Sequence, residues 1–97
     1  MSKKHIVRST NAGVFCGEIV ERNADSVVMK DARRLWYWSG AASLSELAVK
    51  GVANPNDCKF PCAVARVELL GVCEILDMTD EAWQSVQSVK EWSNHAN

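Results

Sequence analysis

Ala32-Arg33-Arg34-Leu35-Trp36-Tyr37-Trp38-Ser39-Gly40-Ala41-Ala42-Ser43-Leu44 is the stretch around which this chain is organised. Two arginines precede three aromatic rings, and a small-residue turn then leads into a helix start. Arginine supplies an always-ionised fork, a ring supplies a stacking face, and a helix start supplies free backbone N–H groups. Together they suit an anionic, ring-bearing ligand such as a nucleotide. They equally suit a core strand running into a helix, so both readings stay open here.

If the stretch is extended, alternation sets Arg33, Leu35 and Tyr37 on one face and Arg34, Trp36 and Trp38 on the other. A single compact site then uses one set, and the second set, with two rings beside its arginine, is the better candidate. Before it, His5–Thr10 reads as a strand with Ile6 and Val7 at its centre, Asn11-Ala12-Gly13 as a turn, and Val14–Arg22 as a second strand. Gly17 inside that strand signals a bulge or a close backbone approach. After a turn at Asn23-Ala24-Asp25-Ser26, a third strand starts at Val27, with a possible interruption at Lys30-Asp31, and continues from Ala32 to Trp38.

Beyond the aromatic run, Ser43-Leu44-Ser45-Glu46 fits a capping box, with Ser43 as N-cap and Glu46 at N3, and Gly51 closes the short helix. Residues 52–62 read as irregular. Ala63–Asp77 is strongly β, broken at Gly71. Thr79-Asp80-Glu81 opens a terminal helix in which Ala82, Trp83, Val86 and Val89 recur at helical spacing and Trp92 marks the end; the tail beyond it is expected to fray. The expected fold is a single α+β domain over residues 1–97. Its antiparallel sheet has about five strands in a meander, with barrel-like closure as an open alternative, a short helix after strand three and a C-terminal helix.

Ninety-seven residues suffice for one small core, and 47% hydrophobic content argues for a globular chain. Four tryptophans are a large apolar load for this length and favour a ligand pocket or a homo-oligomer. The net charge of −1 divides into +3 over residues 1–34 and −4 over residues 35–97. The acidic second half opposes extended nucleic acid, where affinity comes mostly from phosphate neutralisation. No apolar run approaches the roughly 20 residues of a membrane span, and no signal peptide is apparent. The expected location is therefore cytoplasmic, with the four cysteines reduced.

The sites that would carry catalysis are weak. Cys58 and Cys62 form one loose pair, with Cys16, Cys73, His5 and His95 scattered, which is not a zinc pattern. Cys16 and Cys73 read as small buried residues. The two histidines lie near the termini, a poor place to hold a general base against a thiol. No Walker lysine or Rossmann glycine series is present. We therefore expect no enzyme, no cofactor and no metal. The candidate ligand-binding residues are Arg33 and Arg34 for phosphate, Trp36 or Trp38 for a base, Gly40 and Ser43 for backbone N–H contacts, and Arg8 as an outer candidate.

The run from Ala32 to Ala41, with Ser43-Leu44-Ser45-Glu46-Leu47-Ala48 and Gly51-Val52 after it, resembles a family of small phage and prophage proteins classed as a domain of unknown function. His5-Ile6-Val7-Arg8, Asn11-Ala12-Gly13-Val14 and Val72-Cys73-Glu74-Ile75-Leu76 extend the resemblance over nearly the whole chain. It implies a phage origin, a mostly β fold and this length, and it implies no activity. By analogy with small phage proteins that block Thoeris and CBASS defence as nucleotide sponges, the expected function is non-enzymatic. The protein would inhibit host antiviral defence in the host cytoplasm by sequestering a cyclic nucleotide signal, as a homo-oligomer. The alternatives are direct binding of a host defence protein, or a small phage structural or assembly role.

Overall fold

Apolar runs separated by turn residues direct the first third of the chain into antiparallel strands. In the computed structural model, which describes residues 3–93, these are β1 (His5–Ser9), β2 (Gly13–Arg22) and β3 (Ser26–Arg34). Two further strands, β4 (Ala63–Leu70) and β5 (Val72–Asp77), complete one sheet of order β4-β3-β2-β1-β5 in which all neighbours are antiparallel. Helix α1 (Leu44–Lys50) follows strand three and helix α2 (Asp80–Gln87) follows strand five, with a 3₁₀ turn at Pro55–Asp57. This is the expected α+β architecture.

Strands β1 to β4 form a meander, but β5 departs from it. Only Gly71, at φ 67°, separates β4 from β5, yet the two strands lie at opposite edges of the sheet. The sheet must therefore curl until those edges approach at one end. Hydrogen bonds hold it there: Thr10 N–H to Gly71 O at 3.0 Å, Val72 N–H to Asp25 O at 2.8 Å, and Ser9 Oγ to Leu70 O. The sheet does not close into a barrel.

The curl creates two apolar layers. Inside it, Val7, Phe15, Val27, Met29, Ala32 and Leu69 pack together. On its outer face Ile6, Cys16 and Leu35 meet Leu47 and Ala48 of α1, Ala82 and Val86 of α2, and Phe60 from the connecting loop. Both helices are capped from their own sequence. Ser43 Oγ accepts from Glu46 N–H at 3.2 Å, and Glu46 Oε1 accepts from Ala42 N–H at 2.7 Å. Thr79 Oγ1 accepts from Ala82 N–H at 3.0 Å and donates to Val49 O at 2.7 Å, which also ties the two helices together.

Several boundaries differ from the sequence expectation. Strand three is continuous through Lys30-Asp31 and ends at Arg34 rather than Trp38. The last sheet bond is Leu35 N–H to Val14 O at 2.8 Å, after which Tyr37 pairs with Lys59 instead. Helix α2 stops at Gln87, and Trp92 lies beyond it, where its N–H donates to Phe60 O at 3.0 Å. Cys73 is exposed rather than buried, while Cys58 is buried. His95 and the expected fraying of residues 94–97 lie outside the described residues.

Candidate functional site

A bulge in β3 decides where each of the two neighbouring arginines points. Cys16 stands across from Arg33, and Glu18 across from Lys30, so Gly17 alone faces both Asp31 and Ala32. Asp31 takes a positive φ of 51° to make this turn. A Cβ on Gly17 would lie 3.0 Å from both Ala32 Cα and Lys30 O, so any side chain there requires the β3 backbone to give way. Past the bulge, Arg33 falls on the helix side with Cys16, and Arg34 falls beside Phe15 at the open end of the inner layer.

Arg33 is only 6% exposed. Its Nε donates to Pro61 O at 2.9 Å, Nη1 to Val86 O at 3.1 Å, and Nη2 to Phe60 O at 3.0 Å and Val89 O at 2.9 Å. The guanidinium also lies over the Phe60 ring, 5.5 Å from its centroid. A fixed planar fork is suited to this task, because it reaches a loop and the carbonyl end of α2 at once, where a cation is favoured by the helix dipole. Burial pushes the Arg33 guanidinium below its ordinary value, with Cys16, Glu91 and Cys62 acting the other way. Burial likewise pushes the Cys16 thiol up to about 12. Arg33 is thus held by the fold rather than turned toward a ligand.

Arg34 is placed differently. It is half-buried, its Nη1 donates to Ala12 O, and its guanidinium lies 4.4 Å from the Phe15 ring centroid. That is its one side-chain hydrogen bond among the described residues. It lines a cleft of about 300 Å³ together with Ala12, Gly13, Val14, Leu35, Trp36 and Trp38. Trp36 is 62% exposed, whereas Trp38 is half-buried and packs on the outer-face core. The structure therefore gathers Arg34, Trp36 and Trp38, the set that alternation puts on one face, and separates Arg33 from them.

The remaining candidates lie elsewhere. Gly40, at φ 94°, is pressed against the 53–54 backbone, where a Cβ would meet Ala53 N at 2.5 Å, and its carbonyl accepts from Ala53 N–H at 3.3 Å. Ser43 is committed to its cap, and Glu46 occupies the Ala42 N–H, so the helix start offers no free anion cradle at these groups. Arg8 pairs with Glu74 at 2.9 Å and stands across the β1–β2 ladder from Val14, one neighbour away from the cleft.

The sequence profile of a domain of unknown function, DUF6948, matches residues 2–86. The chain belongs to that family. No curated protein and no solved structure matches it. The DUF6948 match spans every residue of the cleft and three of the four carbonyls that hold Arg33, leaving Val89 and Trp92 beyond it.

Sequence reasoning missed the cleft's other wall, Ala12-Gly13-Val14. The turn signal at Asn11-Ala12-Gly13 was visible, but not that it folds against Arg34. It also missed Phe60 and Cys58, buried residues in a segment without periodicity. Cys58 Sγ accepts from Ser39 N–H at 3.4 Å, and Tyr37 and Lys59 exchange backbone bonds of 3.3 and 2.7 Å. These contacts hold the aromatic run in place after it leaves the sheet. They also expose Tyr37 and Trp92 on either side of Lys59, whose Nζ is 6.0 and 5.8 Å from the two ring centroids. Among the described residues, no cluster of three or more His, Cys, Asp or Glu is placed to hold a metal, and no helix is long and apolar enough to cross a membrane.

Proposed function

We propose that this chain is a non-enzymatic binding protein that takes a nucleotide in the Arg34–Trp36–Trp38 cleft. We further propose that a phage uses it in the host cytoplasm to withhold a cyclic nucleotide immune signal. The observation that carries the reading is the cleft itself: an arginine fixed by Ala12 and Phe15 stands beside an exposed indole and a second, packed one. A guanidinium positioned in this way accepts a phosphate with little ordering cost, and a ring stacks a base for roughly 1–3 kcal/mol. Gly13 keeps the opposite wall low, its nearest side-chain neighbour being Arg34 Nη1 at 3.8 Å from an added Cβ.

The cleft's volume of about 300 Å³ is at the small end of ligand sites, which run to roughly 1,000 Å³. One nucleotide unit suits it; a cyclic dinucleotide would leave its second half outside. The thiol of Cys16, buried and held protonated, supports a binding role over nucleophilic chemistry.

Isothermal calorimetry against cyclic di- and trinucleotides, cyclic ADP-ribose isomers and mononucleotides tests this. At least one should bind, and Arg34→Ala and Trp36→Ala should each weaken it by about tenfold or more while the circular dichroism spectrum is kept. A panel in which nothing binds ends the nucleotide reading. A second reading, direct docking to a host protein, is favoured by the exposed Tyr37–Lys59–Trp92 patch, since tyrosine and tryptophan anchor many interfaces. Co-purification of a host protein that Tyr37→Ala and Trp92→Ala release, with no nucleotide bound, would select it.

A further inference from the structure

Strand β4 is an edge: it pairs with β3 on one side, and residues 63–66 are exposed along their whole length. Such an edge presents unpaired N–H and C=O groups as far as Glu68, Leu70 O being taken by Ser9 Oγ, and proteins commonly blunt it with proline, lysine or a covering segment. The β4 sequence Ala-Val-Ala-Arg-Val-Glu-Leu-Leu contains neither proline nor lysine. Its charges are Arg66 and Glu68, two residues apart, on side chains 64% and 48% exposed, with Nη2 and Oε1 3.8 Å apart.

We propose that β4 pairs antiparallel with β4 of a second copy, in the two-fold register centred on Val67, joining two sheets across this edge. That register places Arg66 of each copy opposite Glu68 of the other, so two opposite-charge cross-strand pairs form at once. The pairing covers residues 65–69 of each copy and stops there, because Leu70 O is already taken by Ser9 Oγ within the chain. Recentring the pair on Arg66 or on Glu68 would set like charges face to face, which disfavours the neighbouring in-phase registers. The proposal rests on the strand edge and its charges and is independent of the cleft.

Sedimentation velocity over a concentration series tests it. The unmodified chain should show a reversible monomer–dimer equilibrium. Arg66→Glu and Glu68→Arg should each weaken dimerisation by about tenfold or more, since both cross-strand pairs become like-charged. An equimolar mixture of the two variants should recover the dimer, as should the chain carrying both substitutions. Amide exchange reads the same edge without any substitution: protection of the β4 amides should rise with concentration. A chain monomeric throughout the series, single variants that associate as tightly as the unmodified chain, a mixture that stays monomeric, or β4 exchange independent of concentration would each overturn the proposal.

Discussion

Replacing Arg33 with methionine keeps a long side chain in the interior and removes the guanidinium. Four carbonyls lose a donor, but two retain another: Phe60 O still accepts from Trp92 N–H at 3.0 Å, and Val86 O from Val89 N–H at 3.1 Å. Among the described residues, Pro61 O and Val89 O have no other hydrogen bond given to them than the one from Arg33. An unsatisfied buried carbonyl costs roughly 1–3 kcal/mol, and with Val89 O buried and Pro61 O only part-buried the two together cost about 2–5 kcal/mol. Relief from burying an uncompensated cation offsets part of this, as the direction of the Arg33 shift requires. A net loss of about 3 kcal/mol is expected, a more than hundredfold change in the folding equilibrium. For a small domain with roughly 5–15 kcal/mol in hand, that is a major fraction. Urea unfolding followed by tryptophan fluorescence measures it directly. Arg33→Lys should recover only part of the loss, because an ammonium on a flexible stem cannot span carbonyls on both the loop and α2. A methionine variant within about 0.5 kcal/mol of the unmodified chain, the range usual for surface changes, would refute the account of Arg33 as an interior tie.

Two other perturbations isolate separate parts of the structure. Cys16 stays protonated in the folded chain up to about 12, whereas in the unfolded chain it ionises near its ordinary 9.0. Its contribution is therefore fully present below pH 9 and lost as pH rises from 9 toward 12, by about 1.4 kcal/mol per pH unit. Urea titrations between pH 8.5 and roughly 11 should show this slope, and Cys16→Ala should remove its share while lowering stability at neutral pH. Ser43→Ala removes the cap of α1 and should cost about 1 kcal/mol; nucleotide affinity measured calorimetrically should stay unchanged, because Ser43 lies outside the cleft.

What could be read from the chain was local. Ser43 and Glu46 announce α1, Thr79 announces α2, and Gly17 announces the bulge, because each signal lies within a few residues of its effect. The destination of β5 is not local. A single glycine at 71 reads the same whether the next strand turns back on β4 or crosses to β1. The choice depends on Val7 and Ile75 burying their side chains together inside the curl. The division between Arg33 and Arg34 was half legible. Alternation assigns them to opposite faces, but which face is covered depends on α2 and Phe60, more than twenty residues away in sequence. The exit of the chain at Leu35 was hidden for the same reason, since Lys59 and Cys58 hold the aromatic run from a segment with no periodicity.

The two arginines are nonetheless mechanically linked. Arg33 fixes the Phe60–Pro61 carbonyls, the adjoining Lys59 pairs with Tyr37, and Tyr37 separates Trp36 from Trp38 along the chain. Loss of Arg33 therefore loosens the frame on which Trp36 and Trp38 stand, and a weaker ligand affinity in that variant would not place Arg33 at the ligand. The two roles separate on linkage. If Arg33 acts through the frame, its affinity defect should shrink as the variant is stabilised by lower denaturant activity or an excluded osmolyte, because the competent conformation is repopulated. A defect at Arg34 should persist under the same conditions, because a phosphate contact removed from a folded site does not return with stability. Equal recovery of both variants would mean that Arg34 also acts through the fold, and the cleft would then lose the only charged group that lines it among the described residues.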